Sequence, residues 1–147
     1  GEVAEILQDL QLTFCRKSLS QPPADPVQVL LADTTGEMLS IMKTADIVIM
    51  GKSLAGQDEG HNLIEPALLD KPIITGAVLK NFRFVQQVLR DADALAEVRE
   101  DRELPDVLEQ LLCDQDRRHD LGKRAGEAIR KNAGAINRTL DLLDKLN

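Results

Sequence analysis

Three short runs constrain this chain most: VQVLLA at 27–32, ADIVIM at 45–50 and PIITG at 72–76. Each is apolar nearly throughout, and each is followed by a polar, glycine-containing loop and then by residues at helical spacing. A sheet with one wet face would alternate apolar and polar residues. Continuous apolar runs are expected of strands covered on both faces, as in parallel sheets flanked by helices. Strand, loop and helix in repetition give an α/β chain, a Rossmann-like doubly wound parallel sheet with the three runs side by side.

The remaining segments fit that frame. Val3, Ile6, Leu7 and Leu10 mark one face of an opening helix, residues 12–16 could form a strand, and three prolines make 20–26 a loop. Residues 37–44 read as a short helix. Asn62 and Asn81 are candidate caps for helices carrying Leu63, Ala67 and Leu68 and then residues 82–90, with a weaker strand at 94–98. From 99 to 131 mixed charge and leucines at helical spacing predict surface helices with solvated outer faces, and Leu140, Leu143 and Leu146 a last helix.

Composition then excludes several functions. A net charge of −7 provides no broad footprint for nucleic acid, and an aromatic content of 2% argues against stacking platforms for bases or sugars. Recognition must use backbone and polar groups. Cys15 and Cys113 stand far apart with no metal-binding spacing, so a reducing, cytoplasmic setting is expected. No apolar run reaches the roughly 18 residues that suggest a membrane span, so direct membrane insertion by this segment is not expected.

Ligands of doubly wound sheets sit beyond the carboxyl ends of the strands. In this chain those ends carry residues 33–36, 51–62 and 76–81, where glycine and polar residues concentrate. A helix starting near Asn62 would offer unsatisfied N–H groups to a phosphate. Gly51-Lys52-Ser53 is not a phosphate-binding P-loop, because Asp46 occupies the position where that motif needs its first glycine. His61 and Glu65 are spaced like metal ligands on a helix, but the only other histidine is His119, so no metal or cofactor is expected. His61 could equally be a hydrogen-bonded loop residue, and Glu65 a first-turn glutamate complementing the helix dipole.

Asp33, Thr34, Gly36, Glu37 and Met38, then Ala45-Asp46, Gly51, Ser53-Leu54, Gly60-His61-Asn62, Glu65-Pro66-Ala67, Pro72, Gly76 and Asn81-Phe82 carry a resemblance over nearly the whole chain. In order and spacing they resemble the C-terminal domain of bacterial Kdo (3-deoxy-D-manno-octulosonate) transferases, glycosyltransferases of the GT-B fold. The resemblance implies a nucleotide-sugar-binding domain covering 1–147 and lacking its first strands, with CMP-Kdo as donor. It implies donor-binding roles for Thr34, Gly36, Ser53, Gly60, His61, Asn62, Glu65 and Asn81. Gly60, His61 and Asn62 would lie near the phosphate and sugar, and Glu65 would accept hydrogen bonds from the ribose. It places the catalytic acidic residue and the lipid A precursor on an N-terminal domain outside this sequence, at the cytoplasmic face of the inner membrane. Lys52, Glu59 and Ala77-Val78 depart from the family's usual glycine, glycine and Pro-His. The alternatives are another GT-B enzyme using a UDP-sugar, or a GT-B-like interaction module without catalysis.

Overall fold

The computed structural model describes residues 1–19, 26–54 and 60–135. The chain divides into two compact units, Gly1–Met38 and Leu39–Asn147. Most of the proline loop, Glu59 and the leucine-rich C-terminal segment expected to be a helix lie outside the described residues.

In the first unit α1 (Glu2–Asp9) forms on the expected face, but of its apolar stripe only Leu7 is buried. Strands β1 (Phe14–Arg16) and β2 (Val29–Leu31) pair in parallel, Phe14 opposite Val29. Thr13 and Gln28 fasten their start reciprocally: Thr13 N–H donates to Gln28 Oε1 at 3.0 Å, and Gln28 N–H to Thr13 Oγ1 at 3.1 Å. The expectation that the three apolar runs lie side by side in one sheet is therefore corrected: the first shares no hydrogen-bonded sheet with the other two. It pairs with β1 instead, and Leu30 remains exposed.

Beyond β2, the Asp33 carboxylate accepts from Ser18 N–H (2.8 Å), Ser18 Oγ (2.7 Å) and Arg16 Nε (2.7 Å). The two Ser18 bonds and the Arg16 guanidinium hold this carboxyl well below the usual carboxylate range. A depressed folded-state pKa means that the stabilisation is complete above the unfolded value, about 4, and fades as pH falls through and below it. Asp33→Asn should therefore destabilise the first unit at neutral pH and lose its effect in acid. Denaturation of both proteins between pH 7 and 2 checks this, and a pH-independent difference would contradict it.

The second unit begins within α2 (Met38–Thr44) and is built on a parallel sheet of order β3 (Val48–Met50), β4 (Ile73–Gly76), β5 (Ala96–Val98). Central β4 is buried at every residue, as its continuous apolar sequence requires. On one face Val48, Met50 and Ile73 join Leu63, Leu79, Val85, Leu89 and Ile129, while on the other Ile74 and Val98 meet Leu111 and Leu121. The helices are α3 (Ile64–Leu68), α4 (Arg83–Asp91), α5 (Leu104–Cys113) and α6 (Gln115–Lys131). The last is more than a surface helix, since it buries Leu121, Gly122, Ala125, Gly126, Ala128 and Ile129. Among the described residues no helix is long and apolar enough to cross a membrane.

Two cap expectations are corrected. The α3 helix starts at Ile64 because the Asn62 side chain accepts the Ile64 N–H at 3.0 Å, closing a turn ahead of the helix. His61 thus precedes the helix and shares no helical face with Glu65. Phe82, not Asn81, is the N-cap of α4, and it makes no side-chain cap bond.

Candidate functional site

The carboxyl ends of β3 and β4 meet through Ser53. Its buried hydroxyl donates to Met50 O at 2.7 Å, lies 3.0 Å from Thr75 Oγ1 and accepts the Gly76 N–H at 2.8 Å. Gly76 lies one residue beyond the last β3–β4 pair, Met50 with Thr75, so its N–H has no strand carbonyl on that side, and the serine replaces one. The approach is so close that a Cβ on Gly76 would fall 1.8 Å from the Ser53 carbonyl oxygen. Ser53 is thus engaged internally and braces the strand ends against each other.

Gly60 enters the same region from the other loop. A Cβ there would meet Leu79 Cδ2 at 3.0 Å and Phe82 Cδ2 at 3.2 Å, so the 60–65 segment runs directly against the loop after β4. Two of the three stretches singled out in the sequence therefore converge. Beyond Gly60, His61 is exposed, Asn62 is half-buried and engaged with Ile64 N–H, and Glu65 is half-buried in the first turn of α3. Among the described residues no hydrogen bond or ion pair occupies the Glu65 carboxylate. Pro66, third in the helix, costs nothing there because the first-turn N–H groups have no intrahelical acceptor. Asn81 is exposed in the turn before α4.

Thr34 and Gly36 belong to the first unit. The Thr34 hydroxyl donates to Glu37, and Gly36 holds a φ of +83°, which a side chain would strain. Both are exposed after β2.

Sequence reasoning missed three polar residues, Gln86, Arg90 and Glu97. Gln86 Nε2 reaches the carbonyls of Gly76 and Ala77, both at 3.2 Å, and Glu97 Oε1 at 2.7 Å. Arg90 Nε grips both Glu97 oxygens at 2.8 and 2.9 Å, and its NH2 donates to Ala77 O. The only available signal was an amide and an arginine one turn apart on the amphipathic α4.

Two hollows on this unit are lined by described residues. One of about 250 Å³ lies beside the loop after β4, lined by Ala77, Val78, Leu79, Arg83, Gln86, Gln87 and Arg90. The other, about 170 Å³, lies at the amino ends of the strands between Ala45, Asp46, Lys71, Pro72 and Arg118. Its cations already cap backbone carbonyls, Lys71 Nζ those of Lys43 and Ala45 at 2.8 and 2.7 Å, and Arg118 those of Leu111 and Leu112 at 2.6 and 2.7 Å. No group of three or more potential metal ligands occurs among the described residues.

Comparison with known proteins agrees with this geometry. No family model matches the chain. It is 34% identical over 142 residues to the 3-deoxy-D-manno-octulosonic acid transferase of Haemophilus influenzae, covering 96% of this chain and 33% of that protein. With the enzyme of the same name from Bordetella pertussis it shares 35% identity over 144 residues, again 33% of the relative's length. The chain therefore spans about a third of these curated relatives. Among solved structures it superimposes on the C-terminal CMP-Kdo binding domain of WaaA from Acinetobacter baumannii with a TM-score of 0.80 at 28% identity, covering 87% of this chain and 66% of that one. These relationships bear out the α/β fold and the resemblance read from the motifs.

Proposed function

We propose that this chain, related along nearly its whole length to 3-deoxy-D-manno-octulosonic acid transferases, is the part of such an enzyme that binds the nucleotide-sugar donor CMP-Kdo. The observation that carries the reading is Glu65. It is a half-buried carboxylate without a partner among the described residues, in the helix that follows the segment where Gly60 meets Leu79 and Phe82. Its oxygens stay open to solvent and are therefore available to the donors of a ligand. A vicinal diol fits, because an ionised carboxylate can accept one hydrogen bond on each oxygen.

In this reading Glu65 holds the ribose, and Gly60, His61 and Asn62 lie near the phosphate and sugar. Asn62 does so through its turn, since its side-chain oxygen is already engaged. Ser53 acts by holding Gly76 in place, while Thr34, Gly36 and Asn81 are candidates on their motifs alone. The parent enzyme would transfer Kdo to a lipid A precursor in lipopolysaccharide synthesis, at the cytoplasmic face of the inner membrane. Its fold would be a two-domain GT-B arrangement, with the acceptor and the catalytic base on the other domain. Residues 1–147 would then belong to the donor-binding domain of that arrangement.

Binding without turnover is the expected behaviour of the isolated chain. Calorimetric titration should show saturable CMP binding and a weaker response to UDP, with no Kdo transfer to a lipid A precursor. A preference for UDP would move the assignment to another donor class. No binding of either nucleotide at millimolar concentration by folded protein would favour an interaction module, and transfer by this chain alone would refute the division of labour.

A further inference from the structure

Ala77 and Val78, the first residues after β4, border the proposed donor site, yet packing does little to hold them before the chain is anchored again at buried Leu79. Val78 is 52% exposed, Ala77 is half-buried, and the hollow of about 250 Å³ lies alongside. A segment flanked by open space can shift unless directional bonds fix it. Those bonds come from α4. Gln86, only 2% exposed, divides its amide between the carbonyls of Gly76 and Ala77 and the Glu97 carboxylate. Glu97 in turn is clasped by Arg90, whose other arm also reaches the Ala77 carbonyl.

We infer that Gln86, Glu97 and Arg90 form a positioning network for the donor site, fixing the Gly76-Ala77 carbonyls so that the following loop is set against Gly60 before nucleotide arrives. The inference rests on the donor-binding reading and adds residues that no motif indicated. The logic is geometric. Gly76 is the last residue of the central strand, and its two backbone groups are satisfied from different directions, the N–H by Ser53 and the carbonyl by Gln86. Arg90 and Glu97 lock Gln86 in the rotamer that makes this possible. Leu79, two residues past Ala77, is fully buried and is the side chain that Gly60 contacts. A displaced Ala77 would therefore carry the Gly60 segment with it. None of the three side chains needs to touch the ligand.

The test compares CMP affinity, thermal stability and amide exchange at Gly76 and Ala77 in wild type, Gln86→Met, Arg90→Met and a control, Leu111→Ala. The control opens the core on the opposite face of the sheet, away from the loop. Arg90 is exposed, so Arg90→Met should fold even if Gln86→Met does not. The expected result is a fivefold or greater loss of CMP affinity in Arg90→Met, with faster exchange at Gly76 and Ala77. Leu111→Ala should lower the melting temperature at least as much and keep affinity within twofold. If wild type binds CMP and Arg90→Met binds equally well, the positioning role is overturned while donor binding stands. If wild type binds no CMP, the donor reading itself fails, and the positioning role goes with it. An affinity loss in Leu111→Ala matching that in Arg90→Met would reduce the network to ordinary stability and overturn the inference.

Discussion

Gly122→Ala should destabilise the second unit by about 2–3 kcal/mol, whereas Gly126→Ala, one turn further along the same helix, should be nearly neutral. In a solvent-facing helix either change would stabilise by up to about 1 kcal/mol through helix propensity. Here both glycines face the turn after α3, where Asp70 adopts a left-handed φ of 54°. A Cβ on Gly122 would lie 2.1 Å from the Asp70 carbonyl oxygen and 2.8 Å from its carbon, so only separation of backbones can relieve it. A Cβ on Gly126 meets the Asp70 carboxylate at 1.8 Å and the Arg130 guanidinium at 2.7 Å, the movable ends of two half-exposed side chains. Swinging them away forfeits one exposed ion pair, worth at most about 1 kcal/mol, which the propensity gain offsets. Urea denaturation of the two variants gives the comparison, and equal effects would mean that α3 and α6 are not in contact as described.

The same helix shows where sequence reading loses sight of structure. Continuous apolar runs reveal strands, and β3 and β4 fall where that mark predicted, while β5 falls in the segment 94–98 that offered only a weaker strand signal. The inner face of α6 leaves almost none, since close approach to Asp70 selects glycine and alanine within a heavily charged segment. Strand pairing is equally silent, because VQVLLA looks like the other runs while its hydrogen bonds go to β1. The chemical residues divide along the same line. Gly60 and Asn62 could be singled out because glycine and polar residues concentrate beyond the strand ends, and Glu65 through the motif that carries the resemblance. Gln86, Arg90 and Glu97 are ordinary surface residues until the fold brings an amphipathic helix over the end of a sheet.

Glu65→Gln should weaken CMP binding by about tenfold to a hundredfold, or roughly 1.5–3 kcal/mol, and leave stability almost unchanged. The carboxylate sits in the first turn of α3, so a contribution to the helix dipole is the competing role. That role belongs to the charge alone. It would cost from a few tenths to about 1 kcal/mol of stability in Glu65→Gln and spare nucleotide affinity. A helix of five residues has a small dipole to complement, which already limits the second effect. Binding a diol uses both carboxylate oxygens as acceptors, and glutamine offers one acceptor and turns the other position into a donor. Ribose hydroxyls can donate to the first but must be reorganised at the second, so the loss should be larger for CMP than for 2′-deoxy-CMP, which presents only one of the two hydroxyls. Affinities of both nucleotides for wild type and Glu65→Gln, measured alongside thermal melts, separate the roles: unchanged CMP affinity with a lowered melting temperature would leave Glu65 as a helix residue and remove the ribose from this end of the sheet.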